Sequence, residues 1–352
     1  MGKIFNFLIC IVTLCVIYLF LSHFSYRRSR SIGNCEIIDV KFPFKNIRNN
    51  KGQKLNIIAI SAPFRNEEHV RLYNLYKSCG LDFLGISSYL EFPEKIHNPF
   101  EDRFHEYKKH NYLDMVSTWL YCTRKPSINM EKSNLPLLQL SEADMKNTNQ
   151  YRPDSHVQKK YDILYVCLDD DRGLDNNNDC KAGWQSYIRN WELAKKCLKV
   201  MCLKYNLKVL IVGRTKCKID SFSSKNITIL PFMPFHEFQK SMKECKFLFV
   251  PNISDASPRV ITEALCYNIP VLVNSNIVGG WQNVIPGVTG EFFTNEDNIS
   301  TAICKLTLNL RSYEPRKWFL ENRGFNSRKI FATFLKENYK NINDKNFTEA
   351  FI

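Results

Sequence analysis

Two carboxylates eight positions apart, Asp255 and Glu263, stand on either side of Ser257-Pro258-Arg259. Serine just before a first-turn proline is sound helix-start chemistry. The hydroxyl can cap free amides, and the proline lacks an N–H that would have had no partner there anyway. A helix beginning at this point turns its open N–H groups and the positive end of its dipole toward an anion such as a diphosphate. The two acids would bracket that anion, one from the loop and one from within the helix. A phosphorylated sugar needs acceptors for its hydroxyls and donors for its phosphates, and this combination supplies both.

The elements that must position these groups can be read from hydrophobic patterning. Phe247–Pro251 and Pro270–Val273 are expected as strands on either side of a helix over Ser257–Tyr267. Upstream, Ile163–Leu168, Lys208–Gly213 and Ile227–Leu230 read as strands, with a helix over Tyr187–Tyr205. Continuous apolar strands separated by roughly 10–20 helical residues imply parallel βαβ units in a sheet covered on both faces. An earlier unit holds strands at Leu55–Ile60, Phe83–Ser88 and Leu137–Leu140, and a helix at His69–Cys79 that ends at Gly80. The polar stretch Asn147–Lys159, with Pro153, reads as the linker between two domains. The expected division is an anchor over 1–26, a basic tether over 27–54, and domains over 55–150 and 151–352.

The segment Phe249–Phe293 resembles the signature of the group 1 glycosyltransferases, a large GT-B family. The resemblance rests on Pro251-Asn252, Asp255, Ser257-Pro258-Arg259-Val260, Glu263-Ala264 and Asn268-Ile269-Pro270-Val271. Gly279-Gly280-Trp281-Gln282 and Gly287-Val288-Thr289-Gly290 continue it. It implies an α/β fold of the GT-B-like kind, a pair of Rossmann-like domains with a deep cleft between them. It also implies sugar transfer from a nucleotide-sugar donor to a glycan, lipid or protein acceptor, with retention at the anomeric carbon. Asp255 and Glu263 would be the catalytic pair, Asp255 facing the transferred sugar and Glu263 the donor ribose. Gly279 and Gly280 would form the wall beside that sugar, and no metal or cofactor beyond the co-substrate is implied.

The chain departs from the family pattern in places. Asp255 stands where the family usually has Glu, one methylene longer. The family's Arg and Lys-Gly for the diphosphate have their nearest matches in Lys181 with Gly183-Trp184, in Arg172 and in Arg214. No Gly-rich loop follows Leu55–Ile60, so the acceptor domain is expected to be reduced. Two alternatives stay open. Asp169-Asp170-Asp171 could be the Asp-x-Asp metal site of a GT-A transferase, with a solvated acidic loop as the plainer reading. A degenerate membrane-bound scaffold is the other. His97, His105 and His110 carry no motif, and Trp281 is a possible sugar platform while Trp184 and Trp191 suit a core.

The chain has 352 residues and a formal charge of +14. Its Lys and Arg are spread along the whole length, unlike the patch of a nucleic-acid reader, so nucleic acid is not expected as a partner. An anionic donor or membrane surface accounts for the charge. Ile4–Phe24 is nearly unbroken in apolar residues and is expected to be a retained, single-pass transmembrane helix. Arg27, Arg28 and Arg30 after it would keep the catalytic part in the cytoplasm, a luminal orientation being the alternative. The thirteen cysteines show no paired framework and suit buried thiols in a reducing compartment.

Overall fold

The computed structural model describes residues 39–94, 110–170, 172–176, 179–217 and 225–352. They form two six-stranded sheets. The first takes β1 (Phe44–Asn49), β2 (Lys54–Ile60), β3 (Asp82–Ile86), β4 (Thr118–Tyr121) and β5 (Leu137–Gln139), with helices α1 (Glu67–Ser78) and α2 (Ile128–Lys132) in the connections. The second takes β6 (Tyr161–Val166), β7 (Val209–Val212), β8 (Ile227–Leu230), β9 (Cys245–Val250), β10 (Val271–Asn274) and β11 (Gly290–Phe293). Its helices are α3 (Trp184–Ile188), α4 (Trp191–Tyr205), α5 (Phe235–Lys243), α6 (Arg259–Cys266), α7 (Ile299–Leu308) and α8 (Pro315–Asn322). The chain then recrosses to the first domain with α9 (Phe325–Asn338) and β12 (Ala350–Phe351), whose strand pairs antiparallel with β1.

The second sheet is parallel throughout, in the order β11-β10-β9-β6-β7-β8. Successive residues of its strands feed opposite cores. Ile163, Tyr165, Val209 and Ile211 enter one, and Leu164, Leu210 and Val212 the other. That alternation within an all-apolar run explains why these strands carry no polar face: helices cover both sides. The first sheet divides likewise, with Ile57, Ala59 and Leu84 on one face and Ile58, Ile60 and Phe83 on the other.

Several expectations are corrected. Among the described residues no helix is long and apolar enough to cross a membrane. The longest of those named is α4, with 15 residues, against the roughly 20 that a span requires. The transmembrane helix, the single-pass membrane location and its cytoplasmic orientation are corrected on that finding, and Ile4–Phe24 itself lies outside the described residues. Cys180 and Cys217 form a disulfide and Cys79 is also disulfide-bonded, so the all-thiol reading does not hold. Phe44–Asn49, placed in the tether by sequence, is a strand, and 325–352, placed in the second domain, packs with the first. His97, His105 and Asp171 lie outside the described residues.

Candidate functional site

Strand order in the second sheet reverses between β6 and β9, which lie side by side. In doubly wound sheets ligands bind outside the carboxyl ends of strands at such a switch point. The loop from β9 to α6 carries Asp255 there. Its carboxylate receives Arg189 Nη1 at 2.7 Å and Asn252 Nδ2 at 2.9 Å. Asn190 holds the same loop by donating to the Pro251 carbonyl at 3.1 Å.

Helix α6 begins after Pro258 with no side-chain cap. Ile261 N–H donates to the Pro258 carbonyl at 3.1 Å, and the amides of Arg259 and Val260 before it have no partner within the helix, as at any helix start. Ser257 lies next to Ser141 of the first domain, with 3.4 Å between the two hydroxyl oxygens, instead of capping the helix. The glycine pair presses on this turn from the other side. A Cβ on Gly279 would sit 1.8 Å from the Ala256 carbonyl oxygen, and Gly280 adopts φ +78° with Pro258 against it. Gly279 N–H also donates to the Asp255 carbonyl at 2.9 Å. The turn bearing Asp255, Ser257, Pro258 and Arg259 is therefore backed by Gly279 and Gly280 as one packed unit.

Glu263 lies just over one turn into α6, a helix buried from Ile261 to Cys266. Its carboxylate pairs with Lys146 Nζ at 2.6 Å, a residue that follows the first domain's last 3-10 turn. Asp255 and Glu263 share no hydrogen-bond partner among the described residues. One faces an arginine of its own domain and the other a lysine at the domain junction. Burial pushes the thiol of Cys266, at the end of α6, up to about 12, so it stays protonated and offers no nucleophile.

Three other sequence candidates lie around the start of α3. Lys181 is exposed on the loop before α3. Gly183 is the N-cap of α3, and a Cβ there would meet Asp170 Oδ1 at 2.6 Å. Asp170 occupies that helix start, accepting from Gln185 N at 2.8 Å, from Ser186 N at 3.1 Å and from the Ser186 hydroxyl. Arg214 is fully buried behind it, paired with Asp170 at 3.3 Å, donating to Ser186 Oγ at 2.7 Å and lying 4.4 Å from the Trp191 ring centre. So enclosed, Arg214 does not reach a phosphate and instead holds the core together.

Sequence reasoning missed Arg189. The cation sits directly before Asn190, which starts α4 in the left-handed conformation at φ 50°. Asn is the non-glycine residue most at home in that conformation. An Arg-Asn ahead of a long amphipathic helix was the signal. Arg124 was missed as well. Its guanidinium lies 4.5 Å from the Trp281 ring centre and donates to the Ser275 carbonyl at 2.7 Å, reaching across from the end of β4.

Asp169 is engaged by protein donors, from Thr215 N at 3.2 Å, Thr215 Oγ1 at 2.9 Å and Lys216 N at 3.0 Å. Cys180 and Cys217 converge on it, but as a disulfide they present no thiolate to a metal. His110 lines a first-domain hollow of about 720 Å³ with Glu94, Asn111, Asp114 and Lys132.

Residues 185–322 match the family model described as glycosyl transferases group 1. No curated protein matches the chain. Among solved structures, one similar fold is TarM, with TM-score 0.55 and 12% identity over 80% of this chain and 54% of that one. Another is the pneumococcal O-GlcNAc transferase GtfA in complex with UDP and GlcNAc, with TM-score 0.53 and 12% identity over 79% and 56%. A third is Anabaena Alr3699/HepE in complex with UDP and glucose, with TM-score 0.52 and 10% identity over 77% and 76%. The chain spans about half the length of the first of these. At such identities the likeness establishes a shared two-domain GT-B-like fold.

Proposed function

From the membership of residues 185–322 in the glycosyl transferases group 1, we propose that this chain transfers a sugar from a nucleotide-sugar donor to a glycan, lipid or protein acceptor. The observation that carries the reading is the uncapped start of α6 at the switch point of the second sheet, with the Asp255–Arg189 pair beside it. The open amides and the Arg189 guanidinium provide positive charge for a diphosphate, and the acids provide acceptors for donor hydroxyls. As the diphosphate departs it gains charge, and fixed positive groups already aimed at it stabilise that charge with no further reorganisation. The UDP held by the similar structures GtfA and Alr3699/HepE supports a uridine nucleotide as the first donor to try.

Retention and independence of metal belong to the same reading. Both rest on the acidic pair and on an anion site made from amides and guanidinium. The second is checked by activity in EDTA; complete loss rescued by Mn²⁺ would replace it with a metal-dependent mechanism. The central test is Glu263→Ala. Its donor affinity, measured by calorimetry with UDP, is expected to fall at least about 30-fold, in line with an anchoring hydrogen-bonded charge. Unchanged affinity in a folded variant would remove Glu263 from the donor site and count against the proposal.

A further inference from the structure

We infer that Lys146 is a positioning residue for the donor: it holds the Glu263 carboxylate in place from the domain junction. This rests on the donor-site reading of Glu263 and adds to it a residue outside the matched stretch. Both side chains are nearly enclosed, 14% exposed for Lys146 and 11% for Glu263. A carboxylate removed from water to that degree needs a compensating charge, because leaving it unpaired would be strongly unfavourable. α6 contributes no cation on its buried face, where Ile261, Ala264, Leu265 and Cys266 join an apolar core. The charge comes instead from a residue more than a hundred positions away in sequence.

Lys146 is itself held on every side. Its ammonium donates to Tyr151 Oη at 3.2 Å and lies 5.1 Å from that ring's centre. Met145 just before it is buried in the first-domain core and its carbonyl accepts from Arg328 Nε at 2.8 Å. Thr148 just after it is buried against Gly324, where the chain recrosses between the domains. Both crossings thus meet at this lysine. Its ammonium binds Glu263 through Oε1, and among the described residues no donor reaches Oε2. That oxygen is left to accept from a donor hydroxyl, with its direction set by the bond to Lys146. Asp255 shows the same plan with a cation from its own domain, Arg189. Each acid thus carries its own counter-charge, and an incoming diphosphate does not face two bare carboxylates.

The test uses the full-length protein and UDP, GDP and ADP as probes, with calorimetric affinity, steady-state turnover and thermal melting read together. Lys146→Met is expected to weaken nucleotide binding and raise KM for the donor about ten-fold, with kcat changed far less, an ordinary size for coupled sites. Lys146→Arg is expected to recover most of that loss. In a Glu263→Gln background Lys146→Met should add little, because the lysine acts through Glu263 alone. Should Lys146→Met not fold, Lys146→Gln takes its place in the same cycle. A folded Lys146 variant that binds as tightly as wild type, or losses that add fully to those of Glu263→Gln, would overturn the inference and leave the donor site standing. Wild-type protein that binds none of the three nucleotides would overturn the functional reading and this inference with it.

Discussion

Two helix starts in the second domain face the same physical problem and solve it differently. Both α3 and α6 follow strands at the switch point, and each has first-turn amides that the helix itself cannot satisfy. At α3 the chain fills the place with its own anion: Asp170 accepts two amides and a hydroxyl, and the fully buried Arg214 neutralises it from behind. At α6 no side chain caps the amides, Ser257 turns toward the first domain, and the flanking acids are each paired with a cation off the helix. A filled helix start is structure, whereas an open one with balanced charges around it can take a ligand.

Breaking the filled start should have the largest effect. Asp170→Asn leaves the Arg214 guanidinium buried without its counter-charge, and the loss of stability is expected at about 3–5 kcal/mol by denaturant unfolding. A loss under about 1 kcal/mol would mean the pair is no structural keystone. Arg189→Met should act on the open start instead. Nucleotide affinity is expected to drop about ten-fold, equivalent to about 1.4 kcal/mol, with melting little changed. If that variant instead loses stability on the scale of Asp170→Asn while binding normally, the two starts are not different in kind. The smallest effect on nucleotide binding is expected from Gly183→Ala, whose new Cβ would press on the Asp170 carboxylate. Overpacking there should cost about 1–2 kcal/mol of stability with nucleotide affinity within about two-fold of wild type.

Much of the second domain could be read from its residues, because parallel strands buried on both faces advertise themselves as short apolar runs with amphipathic helices between them. The turn from Asp255 to Glu263 and its Gly279-Gly280 backing could be read for the same reason: one continuous stretch, Phe249–Phe293, builds that wall. Less could be read of the first domain, where β1 lies in a basic polar segment and its edge is completed by β12, about three hundred residues later. Local patterning has no means of showing a pairing of that kind. The apolar run at the N-terminus promised a membrane helix, yet no helix of sufficient length and apolarity occurs among the described residues.

By itself the amino-acid sequence determined which groups could do chemistry: an acid ahead of a proline-led helix, a second acid within it, and glycines spaced to pack against the turn. These are short-range properties, set by propensity, capping and steric allowance over a few residues. Only tertiary structure decided which cation meets which anion. Arg214 went to Asp170 inside the core, Arg189 to Asp255, and Lys146 crossed the domain junction to Glu263. The reason is that charge pairing depends on distance in space and on exclusion of water, and both are set by how the two sheets and the recrossing chain come together, not by neighbours along the chain.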